Sequence, residues 1–440
     1  MGFYSIIRST KWLLTAYPAD RYKRLLSASQ HWSREEIINF RNEKLRKLIL
    51  HCYENVPYYR RVMQDKKIVP QDIKVAEDLV RLPVLTKDII RGHAKELMAA
   101  NISEMDVTWT KTGGTTGEPM RIGKDKHCRA WSNMCYERGL RWGGESLEPQ
   151  IRLFGGSLGI DKLSLVNRIG NRFRGDLFIP AFELGADTAI SYFDKIQRSK
   201  YRFIIGYASA IYRLAVLAEK FNQKIEFTAA FPTAELMLPE WEEAIRTTFS
   251  CSVLPYYGCG EVNSLGFSSP DSDGYLIPEE HALIEVYQSE GETELSGEGR
   301  FLVTDLDNYA MPIIRYANGD AGKISPSKGH FPFSRIERLD GRYNSLLMTD
   351  TGDLISGVIG THVFRHTTSV QSYRIIQEEP LRVVIKIVPK DDLSEGDTRL
   401  ILNLFTKHLG RNMEVTIEKV PHLPVPPSGK SVFVINRCLQ

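Results

Sequence analysis

The sequence predicts an α/β protein in two unequal parts, and two patterns carry that expectation. From about residue 107, short β-branched or aromatic runs end in glycine turns and lead into helix-like stretches. After about residue 340 the rhythm changes to strand, strand, helix, strand. The chain has 440 residues, room for two or three domains at roughly 100–200 residues each.

The elements follow in order. Residues 34–64 set Ile37, Ile38, Leu45, Leu48, Ile49 and Tyr53 at helical spacing between basic residues, an amphipathic helix ending before Pro57. Val75–Leu82 is helix-like, and Thr86-Lys87-Asp88 reads as a cap before Ile89 and Ile90. Val107–Thr110 then runs into Thr112-Gly113-Gly114-Thr115-Thr116-Gly117, Ile151–Phe154 into Gly155-Gly156-Ser157-Leu158-Gly159, and Phe203–Ile205 into Gly206 with a helix at Ala210–Phe221. Phe227–Phe231 runs into Pro232, and Ser252–Tyr256 into Gly258-Cys259-Gly260. Such repetition marks a sheet whose ligand loops lie at the carboxyl ends of its strands. Ser372–Gln377, Leu381–Val388, a helix over Ser394–Leu409 and Glu414–Lys419 make a small α+β unit, with Val383, Ile385 and Ile387 alternating onto one face.

Composition excludes several classes. Lys plus Arg is 57 against 54 Asp plus Glu, a net charge of +3, too small a bias for a nucleic-acid partner. Hydrophobic content of 42% with 25% charged residues is globular rather than disordered. The six cysteines form neither a CxxC pair nor a cluster of zinc-ligand spacing, which suits a reducing, cytoplasmic setting. Near the N-terminus the apolar stretch Trp12 to Ala16 is too short for a signal core or for a span of about 20 residues, so the chain is not expected to span a membrane.

The densest chemical signal is Thr110-Lys111-Thr112-Gly113-Gly114-Thr115-Thr116-Gly117-Glu118-Pro119, directly after a strand. Glycines let backbone N–H groups close on an anion, and threonine hydroxyls add uncharged donors. It is not a Walker loop, because Glu118 stands where GxxxxGK[ST] needs lysine. By composition alone it equally fits a plain surface loop.

That loop resembles the phosphate-binding signature of adenylate-forming enzymes, the acyl-CoA synthetase superfamily. Further signatures follow in the same order: Phe231-Pro232-Thr233-Ala234-Glu235, Tyr256-Tyr257-Gly258-Cys259-Gly260-Glu261, Thr304–Asp320 with its core Met311-Pro312-Ile313-Ile314-Arg315-Tyr316, the hinge pair Gly341-Arg342, and Ser428-Gly429-Lys430. The Thr304–Asp320 stretch, together with Asn55-Val56-Pro57-Tyr58-Tyr59 and Leu82-Pro83-Val84-Leu85-Thr86-Lys87, is similar to the phenylacetate-CoA ligase branch and its CapK-like capsular polysaccharide relatives.

The resemblance implies a large multi-sheet N-terminal domain over residues 1–340, binding ATP and a carboxylic acid, and a small mobile α+β lid over 341–440. It implies activation of the acid to an acyl-adenylate with release of pyrophosphate, then transfer to coenzyme A or to an amine, in the CapK-like case in surface polysaccharide biosynthesis. Thr112, Gly113, Gly114, Thr115, Thr116 and Gly117 would hold phosphates, Ala234, Glu235, Tyr257 and Gly258 the adenine, and Asp320 the ribose hydroxyls. Glu261 would bind Mg2+, a hard ion that prefers carboxylate oxygen. Arg342 would mark the hinge, and Lys430 would reach the substrate carboxylate and the α-phosphate. Phe154, Gly155, Ala208, Ser209, Cys259 and Gly260 would line the acyl pocket, segments without an evident cation.

Two departures stand out. The hinge usually continues Arg-x-Asp-Asp, whereas Arg342 precedes Tyr343-Asn344-Ser345, which puts a second, thioester-forming conformation in doubt. Gly329-His330-Phe331-Pro332-Phe333 stands where many relatives carry Cys-x-Cys, so no zinc is expected. A homodimer is left open, and His281, His362 and His366 read as structural. Two other readings compete. Gly155-Gly156-Ser157-Leu158-Gly159 matches the nucleophile elbow of an α/β-hydrolase, with Asp271 or Asp305 and His362 or His366 as partners of Ser157. A non-catalytic nucleotide-binding descendant is the other.

Overall fold

The computed structural model describes residues 17–111, 121–145, 148–154, 175–181, 184, 186–199, 201–287, 292–342, 346–352, 354–356, 359–364, 366–424 and 433–438. The chain divides into two units, Met1–Asn318 with Gly322–Arg338, and Gly319–Ala321 with Leu339–Gln440.

In the large unit the helix Arg34–Asn55 starts at a reciprocal cap: the Ser33 hydroxyl accepts from the Glu36 N–H, and the Glu36 carboxylate accepts from the Ser33 N–H at 2.7 Å. Its apolar stripe, Ile37, Leu45, Leu48, Ile49 and Cys52, is buried. A second helix, Pro57–Asp65, begins where the first stops. Val56 between them is extended, with φ −111° and ψ 107°, the conformation a following proline enforces. Val75–Leu82 contracts to a 3₁₀ turn at Ala76–Arg81.

The central layer is a five-stranded sheet in the order 177–180, 151–154, 203–207, 229–233, 252–253, with every pairing parallel. Strands 203–207 and 229–233 are buried at every position, as parallel strands covered on both faces must be. Gly206 is required here, because a Cβ would lie 2.2 Å from the Leu153 carbonyl oxygen. The helices Ala186–Ser199, Ala208–Lys220 and Pro239–Phe249 carry buried residues of the same core. The expected strand 252–256 is two pieces. Ser252–Val253 closes the parallel sheet, and Tyr256–Tyr257 is the edge of an eight-stranded sheet ordered 293–294, 282–287, 297–305, 316–325, 335–342, 272–276, 266–269, 256–257. Pro255 lies between them and has no N–H to give to a ladder. Val107–Lys111 pairs antiparallel with Arg121–Asp125.

The small unit is a four-stranded sheet ordered 414–419, 382–389, 370–379, 434–436. Val383, Ile385 and Ile387 are fully buried in one core with Ile401, Phe405 and Leu409 of the helix Glu395–Leu409. The sequence pattern stopped at ββαβ. A further strand, Val434–Asn436, adds in parallel to 370–379; at three residues it is too short to show a period. Among the described residues no helix is long and apolar enough to cross a membrane.

Candidate active site

The carboxyl ends of the parallel strands bring several expected site residues into one row. Phe154, 4% exposed, ends its strand and meets Tyr207 edge to face, ring centroids 5.5 Å apart. Ala208 is buried at the start of the helix that Ser209 continues. On the next strand the Thr233 hydroxyl donates to the Tyr256 carbonyl at 3.1 Å, tying the parallel sheet to the edge of the second sheet. Ala234 follows with φ +67°, a left-handed turn costly for a residue with a Cβ. Glu235 is half-buried.

The turn after Tyr257 holds the candidate metal ligand. Tyr257 is buried, and its hydroxyl accepts from the Asn318 side-chain amide at 2.7 Å. Gly258 and Gly260 are exposed, while the Cys259 thiol lies 3.4 Å from both the N–H and the carbonyl of Val262. Glu261 is 6% exposed and accepts from the Tyr316 hydroxyl at 3.0 Å. A buried carboxylate with one neutral donor among the described residues leaves most of its lone pairs for a ligand. Asp320 is also buried. Neither Tyr316 nor Asn318 was assigned a role from sequence. Both stand in the Tyr316–Asp320 stretch, so the long motif serves partly to hold the Tyr-Gly-x-x-Glu turn.

Behind that turn lies a buried trio, His281, Asp305 and Asp307, whose ligand atoms fall within 4.8 Å of one another. They are already engaged. His281 Nδ1 faces Asp307 at 2.8 Å, and its Nε2 faces the Asn263 carbonyl at 3.1 Å. Lys44 takes the other Asp307 oxygen at 2.5 Å, and Asp305 accepts from the Asp307 N–H and lies 3.3 Å from the Cys128 thiol. Burial pushes that thiol well up, so Cys128 stays a neutral donor. The trio therefore frames the Glu261 turn through Asn263, and its His and Asp atoms are not a vacant metal centre. It also places His281 beside Asp305.

Arg315 of the same motif is likewise structural. It has φ +52° and donates to the Glu285 carboxylate at 3.1 Å and to the Leu82 carbonyl at 2.5 Å. Arg342 ends the strand Arg335–Arg342. Thr112, Gly113, Gly114, Thr115, Thr116, Gly117, Gly155 and Lys430 lie outside the described residues, as do Ser157, Asn344 and Ser345.

Beside Phe154, one of the residues expected at the acyl pocket, stands a cation that the sequence reading did not single out: the Arg152 guanidinium lies over the ring, 5.6 Å from its centroid. The available signal was a charged residue inside the otherwise apolar strand Ile151-Arg152-Leu153-Phe154.

Residues 347–437 match the CapK C-terminal domain. The phenylacetate-coenzyme A ligase of Aromatoleum evansii is 26% identical over 327 residues, 72% of each chain. Protein CapK of Staphylococcus aureus is 21% identical over 412 residues, 91% of this chain and 89% of CapK. The chain is similar to the phenylacetate-CoA ligases and to CapK. The fold agrees. A crystal structure of 2-hydroxyisobutyryl-CoA ligase in the postadenylation state, in complex with R3-HIB-AMP, superposes with a TM-score of 0.67 at 17% identity, covering 93% of this chain and 91% of that one. The CapK match falls inside the small unit, and the CapK relative covers most of both units.

Proposed function

We propose that this relative of CapK and the phenylacetate-CoA ligases is an AMP-forming ligase. It joins a carboxylate to the α-phosphorus of ATP, releases pyrophosphate, and passes the acyl group from the adenylate to coenzyme A or to an amine. The observation that carries the reading is Glu261, a buried carboxylate aimed by Tyr316 beside the Tyr257–Asn318 pair, at the edge of a parallel-sheet rim. Names among the relatives and fold neighbours support it: phenylacetate-coenzyme A ligase, and a CoA ligase crystallised with an acyl-adenylate.

Glu261 fits magnesium by chemistry, because carboxylate oxygen is the donor a hard cation prefers. Magnesium, when bound, neutralises phosphate charge. Glu261 holds its place through Tyr316, Tyr257 offers a ring face at the adenine side with its hydroxyl fixed by Asn318, and Asp320 supplies acceptors for ribose hydroxyls. Lys430 brings a positive charge to the carboxylate and the α-phosphate. A cation placed only for adenylation acts on the transition state more than on the ground state. The CapK relation favours an amine acceptor in surface polysaccharide biosynthesis.

The test is ATP–pyrophosphate exchange over a panel of carboxylic acids, then AMP release with coenzyme A or glucosamine added. Acid-dependent exchange is expected, with Glu261→Gln and Lys430→Ala each lowering it roughly 10²–10³-fold. Wild-type protein that exchanges with no acid overturns the reading, and full activity in Lys430→Ala overturns that assignment. Whichever acceptor speeds AMP release identifies the second step.

A further inference from the structure

Arg152 is a cation of the large unit that has no ion-pair partner among the described residues. It stands on the strand Ile151–Phe154, whose pairing with 177–180 and 203–207 is wholly parallel. Such strands are ordinarily apolar throughout, so a guanidinium here does nothing for the sheet. Arg152 and Phe154 are two residues apart and share a face, and the guanidinium rests 5.6 Å from the Phe154 centroid. Phe154 in turn packs on Tyr207. Close by, the rings of Tyr136 and Tyr256 meet edge to face at 5.4 Å. Burial pushes both phenols upward, and the Arg152 charge acts on each in the opposite sense.

Other arginines of this unit show the contrast. Arg41 meets Glu279, Arg138 meets Glu280, and Arg315 meets Glu285. Arg152 makes no ion pair or hydrogen bond among the described residues; its contact there is the Phe154 ring. It is partly exposed and stands at the rim where the parallel strands end.

We propose that Arg152 receives a second carboxylate on the acid, so that the preferred substrate is a dicarboxylic acid whose spacer lies against Phe154 and the tyrosine rings. The inference rests on the ligase reading above. The reacting carboxylate is not its partner, since that group must meet the nucleotide. Strand 203–207 separates Arg152's strand from the one that runs into Ala234 and Glu235. A bidentate guanidinium–carboxylate pair against aromatic walls is short, charge-assisted and geometrically selective.

The experiment is pyrophosphate exchange with matched acids, phenylacetate against 4-carboxyphenylacetate and valerate against glutarate, using wild type, Arg152→Met and Arg152→Lys. In wild type the diacid of at least one pair has a KM about 10–100-fold below its monoacid. Arg152→Met removes that difference while leaving the KM for ATP and kcat with the monoacid unchanged, and Arg152→Lys restores part of it. An unchanged tryptophan-fluorescence unfolding curve excludes misfolding of the variants. Exchange with monoacids alone, or equal loss for both members of each pair, overturns the inference and leaves the ligase reading standing. A raised KM for ATP with acid selectivity intact also overturns it, by giving the cation to a nucleotide phosphate. Absence of exchange with every acid removes both.

Discussion

The two units bury polar groups in opposite ways. In the large unit, full charges sit inside. Glu280 is unexposed and is held by Arg138 through two contacts of 2.6 and 3.2 Å and by the Ser29 hydroxyl at 2.5 Å. Glu279 beside it pairs with Arg34 and Arg41 and accepts from the Ser334 N–H. Burial alone would raise the Glu279 carboxyl, and those partners hold it below its ordinary value instead. Within residues 339–440 the buried polar side chains among the described residues are Gln377, Asn436 and Asp397. Gln377 donates to the Met348 and Pro380 carbonyls and accepts from the Met348 N–H and the Asn436 amide. Ionic frames cost desolvation and repay it with fixed geometry, whereas neutral amides cost less and aim less. The charged frames lie in the unit that carries Glu261 and Arg152, where aim matters.

The largest effect should come from breaking an ionic frame. Glu280→Ala leaves the Arg138 guanidinium buried and unpaired, and should lower stability by about 3–5 kcal/mol. Urea unfolding followed by tryptophan fluorescence isolates this, because all six tryptophans, Trp12, Trp32, Trp109, Trp131, Trp142 and Trp241, belong to the large unit. The double replacement Arg138→Met with Glu280→Leu should recover most of the loss, since no lone charge then remains. A shift under about 1 kcal/mol in the single variant would mean that the pair is solvated and frames nothing.

These frames also show why sequence reading went only part of the way. Alternation made Val383, Ile385 and Ile387 legible as one strand face, and Thr86 reads as a cap, its hydroxyl accepting from the Ile89 N–H three residues on. Both signals are local. Glu261 and its partner Tyr316 are 55 residues apart, and Ser29 and Glu280 are 251 apart; no period or spacing announces such pairs. The motif order found Glu261 without the hydroxyl that aims it. Arg152 escaped for another reason: one charge in a short apolar run looks like a solvated strand end until the parallel neighbours on both sides are known.

A smaller effect belongs to the amide frame of the small unit. Gln377→Leu keeps the volume but strips partners from Met348 and Asn436, and a loss of about 1–3 kcal/mol is expected. It should appear in far-ultraviolet circular dichroism while the tryptophan transition stays in place, since the small unit contains no tryptophan. If both probes shift together, the two units unfold as one, and the comparison drawn above would describe layers of a single cooperative core.

The smallest effect is set by pH and falls on Asp397, a buried carboxylate of the small unit. Asp397 accepts from the Ser369 hydroxyl at 2.6 Å, the Ser369 N–H at 2.8 Å and the Thr368 N–H at 2.9 Å. Those donors, the Ser369 hydroxyl foremost, hold its carboxyl below the ordinary aspartate value. A carboxyl depressed in the folded state adds stability that is fully present above the unfolded value, about 3.9, and drains away as pH falls through the lower folded value. Acidification from pH 6 toward pH 2 should therefore weaken the dichroism-detected transition. In Asp397→Ala the same titration should be flatter, because the linked proton is gone. An equally steep acid limb in that variant would assign the pH dependence to other carboxylates, and would leave the Thr368–Ser369 turn held by its backbone alone.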